Sequence, residues 1–321
     1  SRYRRLVTSQ RVVVISGGVG AARLLRGFHR SVPSLTAIAN VGDDMVLHGL
    51  NISPDLDTIV YTLADAVSAD RGWGLEGETW KAMEMVSRYG GQDWFSLGDR
   101  DLGTHLFRTQ RLSEGASLST VTQEIADAWD LDLRLLPVTD SYLRTMVTVE
   151  EGGVSTEISF QEYFVGRQHD VPVSNVRFDG ASDSVPGVAA LEAIAAADRI
   201  IIAPSNPMVS IDPVLAVPGI RSALVARRDD VVGVSPIIGG AALKGPAARL
   251  MTELGLECSA LGVARYYADF CTTMVIDSAD AELASQIDAL DVNCIVTDTI
   301  MSQPGVTEAL ADVLLSTDLS R

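Results

Sequence analysis

A run of β-branched residues, Arg11-Val-Val-Val-Ile15, leads directly into a Gly-rich turn, Ser16-Gly-Gly-Val-Gly20, and then into the helix-forming stretch Ala21–His29. A short apolar run ending in glycines predicts a strand buried on both faces, and such strands belong to parallel sheets covered by helices. Ligands of open α/β sheets bind at the carboxyl ends of strands, where this turn falls. Glycines there let backbone N–H groups approach an anion, and the helix N-terminus adds partial positive charge. The fingerprint is incomplete: Arg23 stands where a third dinucleotide-binding Gly would be, and no Gly-Lys-Ser/Thr follows. A tight strand–helix turn without a ligand is the bland alternative.

The alternation continues along the chain. Leu35–Ala39 predicts a second strand, and Ser53 and Pro54 an N-cap and first position of a helix running to about Val67. Strands are expected at 134–138, 145–150, 154–160, 173–178, 199–203, 231–234, 273–276 and 293–297. Gly152-Gly153 should turn a hairpin. Helices are expected at 188–197, 220–227, 246–254, 281–290 and 306–316. The fold class is therefore α/β, a doubly wound, mostly parallel, Rossmann-like sheet. Residues 71–130 break the pattern with helix-favouring stretches and no strong strand. They form a helical insertion or lid, leaving 1–70 and 131–321 as the nucleotide-binding core.

Charge and composition narrow the function. The 321 residues carry a net charge of −17, which disfavours nucleic acid and anionic membranes as partners. A 47% apolar content supports a large core. No apolar run approaches the roughly 20 residues of a membrane span. Cys258, Cys271 and Cys294 show no metal or disulfide spacing, so the expected setting is cytoplasmic, with reduced thiols. The four histidines form no obvious constellation with a nucleophile.

Five polar sites are candidates. Besides the Gly turn, Asn40-Val-Gly-Asp43-Asp44 follows strand two, and Asp55 and Asp57 open the next helix. Carboxylates beside a phosphate site suit Mg²⁺. Two positions apart on a helix, Asp55 and Asp57 point roughly 200° apart and should not share one ion; Asp55 as a helix-dipole acid is the plain alternative. Gly98-Asp-Arg-Asp101, behind Trp94 and Phe95, is an exposed turn or a cleft wall, with the turn favoured. Pro204-Ser205-Asn206-Pro207 follows a strand and leaves a hydroxyl and an amide free for a ligand. Val234–Gly240 follows another, with Lys244 behind it either neutralising a phosphate or simply solvated.

Ile15–Ala21, Ile52–Thr58, Leu97–Asp101 with Thr104-His105, Pro204–Pro207 and Val234–Gly239, taken in series, resemble the 2-phospho-L-lactate transferase family of coenzyme F-420 biosynthesis across nearly the whole chain. The resemblance implies transfer of a phosphoenolpyruvyl or 2-phospho-L-lactyl group from a guanosine diphosphate-linked donor, made by a guanylyltransferase, to the deazaflavin Fo, with GMP released. It implies Mg²⁺ held by Asp43 and Asp57, and a homodimer. It implies that Ser16, Gly17, Gly18, Gly20 and Lys244 bind donor phosphates, and Ser205 and Asn206 the guanosine. Asp57, Ser96 and Asp55 would bind Fo, with Asp57 orienting or deprotonating its hydroxyl. Two rivals are a UDP-sugar-binding regulator of a sister branch, which carries a different Pro/Gly/Asp pattern at 53–57, and a nicotinamide oxidoreductase. Against the oxidoreductase stand the missing third Gly and Asn40, where a ribose-binding acid would end strand two.

Overall fold

The computed structural model describes residues 9–319 apart from Lys244. The Gly-rich turn joins β1 (Arg11–Ser16) to α1 (Val19–Phe28), and β2 (Ser34–Ala39) follows. The next element, not among the expected strands, is a hairpin of β3 (Met45–Leu47) and β4 (Leu50–Ile52). It is turned by His48 and Gly49, both at positive φ. Helix α2 (Pro54–Leu63) begins at Ser53 as expected, but the Ser53 hydroxyl does not cap it. It donates instead to Asp44 Oδ2 at 2.8 Å.

The insertion holds α3 (Lys81–Arg88), α4 (Asp101–Ser113) and α5 (Leu118–Ala128), with no named strand among its described residues. Beyond it come β5 (Arg134–Pro137), β6 (Arg144–Glu151), β7 (Val154–Ser159), a π-turn at Glu162–Gly166 and β8 (Val173–Asp179). Gly152 and Gly153, both at positive φ, turn the β6–β7 hairpin. The rest alternates: α6 (Val188–Ala196), β9 (Arg199–Ile202), a π-turn (Pro207–Ile211), α7 (Asp212–Ala216), α8 (Ile220–Ala226), β10 (Val231–Val234), a short hairpin of β11 (Ile237–Ile238) and β12 (Ala241–Ala242), α9 (Ala247–Glu253), α10 (Ala260–Tyr267), β13 (Thr273–Asp277), α11 (Ala284–Asp288), β14 (Asn293–Thr297) and α12 (Val306–Ser316).

Seven strands form one parallel sheet in the order β14-β13-β10-β9-β1-β2-β5. Strands β1, β9 and β10 are apolar and almost wholly buried, as a sheet covered on both faces requires. The order runs outward in two directions from β1 and β9. Their carboxyl ends therefore flank the crevice where a doubly wound sheet binds its ligand. Strands β6–β8 form a separate antiparallel sheet rather than extending the core. It is anchored beside the crevice by the Thr145 N–H, which donates to Gly42 O at 2.7 Å.

No single helix among the described residues is long and apolar enough to cross a membrane.

Candidate active site

The loops after β1 and β9 are pressed together. The Gly17 N–H donates to Ser205 Oγ at 3.3 Å. A Cβ on Gly17 would sit 2.6 Å from Ser210 Cβ, one on Gly18 would strike the Asp55 carboxylate, and one on Gly20 would strike the Pro204 carbonyl. The three glycines were expected to admit a diphosphate. What their missing side chains admit in this structure is protein: the neighbouring loop and an acid. The Ser16 hydroxyl, also expected to face phosphate, is buried and bonds back to Val14 O at 3.2 Å. What the turn offers an anion is the amino end of α1, whose first-turn N–H groups lack intrahelical partners.

Facing that helix end is a group of acids set by the end of β2. Asn40 is fully buried; its amide donates to Asp55 Oδ2 at 3.0 Å, and its Oδ1 accepts the Gly42 N–H at 2.7 Å. One side chain thus fixes the loop carrying Asp43 and Asp44 against the first turn of α2. Burial and then the charges of Asp55 and Asp44 push the Asp43 carboxyl well up. Burial raises Asp44 to about 7, against the Ser53 hydrogen bond and the Arg144 and Arg108 charges. Burial raises Asp55 to about 6. Asp43 Oδ1 and Asp44 Oδ1 are buried without a hydrogen-bond partner, and none of the three acids forms an ion pair among the described residues. Buried carboxylates in that state lack a countercharge, and a divalent cation supplies one.

Asp57 lies on the other side of the helix. Arg108 of α4 grips it with both terminal nitrogens, one at 3.1 Å to Oδ2 and the other on Oδ1. His105 Nδ1 lies 3.7 Å from Oδ2, and His105 Nε2 lies 3.3 Å from Asp101 Oδ2. Asp101 also accepts the Tyr61 hydroxyl at 2.6 Å. Asp57, Asp101 and His105 offer ligand atoms within 4.8 Å of one another, a spacing that could hold a metal. There, however, Arg108 already neutralises Asp57. Of the two acids expected to share an ion, Asp57 is thus already paired with a guanidinium, whereas Asp43 has no ion pair among the described residues and feels the charge of Asp55.

The remaining expected residues divide. Asn206 caps the π-turn, its Oδ1 accepting the Met208 N–H at 3.0 Å, while its Nδ2 is buried with no partner and so keeps a donor to offer. Ser205 is committed to Gly17. Ser96 is not with the acids; it lines a shallow cleft of about 420 Å³ on the insertion with Trp80, Met83 and Asp93. Lys244 lies outside the described residues. The 98–101 turn is a junction rather than a free loop. Asp99 accepts the Lys81 and Ala82 N–H groups at the start of α3, and Glu78 accepts those of Arg100 and Asp101 at the start of α4. The sequence reading missed Asn40 as a clamp and the Arg108–His105–Asp101–Tyr61 set. The i, i+4 and i+7 spacing of 101, 105 and 108 on one helix face was the available signal.

An open helix N-terminus and adjoining buried acids at the switch point sit where doubly wound α/β proteins bind their ligands. The family can be given as well. The model of 2-phospho-L-lactate transferase CofD matches residues 12–314, and the chain belongs to that family, as a transferase. Phosphoenolpyruvate transferase of Streptomyces griseus is 41% identical over 305 residues, covering 94% of this chain and 96% of the relative. That of Nocardia farcinica is 41% identical over 314 residues, covering 94% and 95%. That of Mycobacterium bovis is 44% identical over 285 residues, covering 83% and 86%. A crystallised Bacillus halodurans protein shares the fold, at a TM-score of 0.64 and 20% identity, over 96% of this chain and all of its own.

Proposed function

We propose that this transferase moves a phosphoenolpyruvyl group, or the related 2-phospho-L-lactyl group, from a guanosine diphosphate-linked donor to the primary hydroxyl of the deazaflavin Fo. GMP leaves, and the product is dehydro coenzyme F-420-0 or coenzyme F-420-0. The observation that carries the reading is the set of buried, uncompensated acids beside the α1 N-terminus, in a chain of this family. The donor is supplied by a guanylyltransferase, and the working unit is a homodimer.

The acceptor oxygen attacks the phosphorus that carries the three-carbon unit, in line with the bond to GMP. A P–O bond forms, the P–O bond to GMP breaks, and the hydroxyl proton is released. Little covalent work falls to the protein, so positioning and charge neutralisation supply most of the rate. The orphaned Asp43 oxygen fits a hard cation: Asp43, with Asp55, whose Oδ1 faces Gly18, would hold Mg²⁺, Asp44 lying next to Asp43 in the chain, and the ion would offset charge on the donor oxygens. The N–H groups of α1 would take the donor diphosphate, and Asn206 Nδ2 would donate to the guanosine. Asp57, paired with Arg108, keeps a lone pair on each oxygen and would accept the acceptor hydroxyl, orienting it.

Ligand-induced thermal shifts separate this reading from the UDP-sugar regulator. GDP with Mg²⁺ should raise the unfolding midpoint, Mg²⁺ should lose most of its effect in Asp55→Asn, and UDP-glucose should do nothing. Stabilisation by the UDP-sugar and none by GDP would overturn it.

A further inference from the structure

Among the described residues Arg108 is the most deeply buried cation. It is 1% exposed, in a class of residue almost never fully buried unless paired. Taking a guanidinium and a carboxylate out of water is costly, and well-packed apolar residues in their place are often no less stable. The insertion has such packing already: Leu47, Ile52, Met83 and Leu97 form their own buried cluster where the β3–β4 hairpin meets α3 and the loop before α4. Attachment alone does not explain the ion pair.

Its geometry explains more. Arg108 Nη1 bonds Asp57 Oδ2 at 3.1 Å and reaches Asn51 O at 3.4 Å and His105 Nδ1 at 3.3 Å; Nη2 bonds Asp57 Oδ1. His105 Nδ1 meets the guanidinium, and its Nε2 lies 3.3 Å from Asp101 Oδ2. Asp101 is held in turn by the Tyr61 hydroxyl, which also contacts Thr104 Oγ1 at 2.7 Å. The planar fork leaves Asp57 a single rotamer. Asp57 and Asp55 share the first turn of α2 on opposite sides, so fixing one fixes the rotation of the turn that lays Asp55 over Gly18.

We infer that Arg108 is a positioning residue for the transfer, and that the helical insertion is a fixed wall of the site rather than a lid. It acts through Asp57 on the acceptor hydroxyl and through the α2 turn on Asp55. The inference rests on the transferase reading above.

The test uses the full chain with donor, Mg²⁺ and Fo, measuring kcat, both KM values and the unfolding midpoint. R108K keeps the charge but not the fork. It should unfold near the wild-type temperature, keep the donor KM within about threefold and lose about tenfold or more in kcat. The double variant D57N/R108Q leaves no orphaned charge, so it should recover stability relative to R108Q while its kcat stays about 10²-fold down. R108K at wild-type kcat overturns the inference. So does a double variant that regains kcat together with its midpoint, because the pair is then only structural. A wild-type protein that forms no product speaks against the transferase reading instead.

Discussion

Gly20 and Asp57 show how much a single position can carry. An Ala at 20 would drive its Cβ into the Pro204 carbonyl, backbone against backbone, where neither side can rotate away. Gly20→Ala should cost about 1–3 kcal/mol through overpacking and push the β1 and β9 loops apart. A lowered denaturation midpoint together with lost donor affinity is the expected result; an unchanged protein would mean the loops yield freely. For Asp57 the structure alters a simple expectation. From sequence alone, Asp57→Asn would be an inactive but normally folded protein. With Arg108 buried against it, the substitution strands a guanidinium and should cost on the order of 3–5 kcal/mol as well. Urea titration of D57N measures that directly, and a wild-type midpoint would contradict it. The divergence of Asp55 and Asp57 was legible from helical geometry. The partner of Asp57 was not: an Arg on an amphipathic helix is ordinarily assigned to the solvent face, and the shared helix face of 101, 105 and 108 does not by itself say which acid Arg108 meets.

At the scale of elements, the main sheet was legible because each strand is a compact apolar run and each connecting helix has its own apolar face. Helix α12 (Val306–Ser316) falls where the pattern puts it. The β3–β4 hairpin was not legible, since three-residue strands are too short to show a period. Nor were the π-turns at 162–166 and 207–211, which hydropathy does not distinguish from loop. The insertion was read as helical, but its joint was not. Helices α3 and α4 exchange capping acids, Glu78 onto α4 and Asp99 onto α3, across a gap that only Gly98 leaves open for the Glu78 carboxylate. Glu78→Ala should therefore cost about 1 kcal/mol, or about 2–4 °C, and loosen the turn that presents Asp101. Hydrogen exchange at residues 100–103 should quicken with the sheet amides unaffected; exchange unchanged in α4 would rule the cap out.

For the whole molecule, three carboxyls raised by burial lie together where function is proposed. Asp44 and Asp55 have folded values of about 7 and about 6 against an ordinary value of 3.8, and Asp43 is also raised. The folded state therefore binds these protons more tightly than the unfolded chain. Their contribution to stability is full below about pH 4 and is lost as pH rises through 6 to 7. Metal-free protein should thus melt several degrees lower at about pH 8 than at about pH 5.5, and Mg²⁺ should restore more at the higher pH. A flat profile by scanning fluorimetry would count against the acid cluster as a cation site. The seven-stranded order brings the β1 turn, the β2 acids and the β9 loop to one crevice, and the insertion adds the fork on Asp57. We propose that this crevice joins a three-carbon phosphate to a deazaflavin alcohol. Mass spectrometry of the mixture of protein, Mg²⁺, Fo and the enolpyruvyl-diphosphoguanosine donor tests it most directly. A new deazaflavin heavier by the phosphoenolpyruvyl unit, with one GMP per product, is the predicted result; unreacted Fo beside intact donor would contradict it.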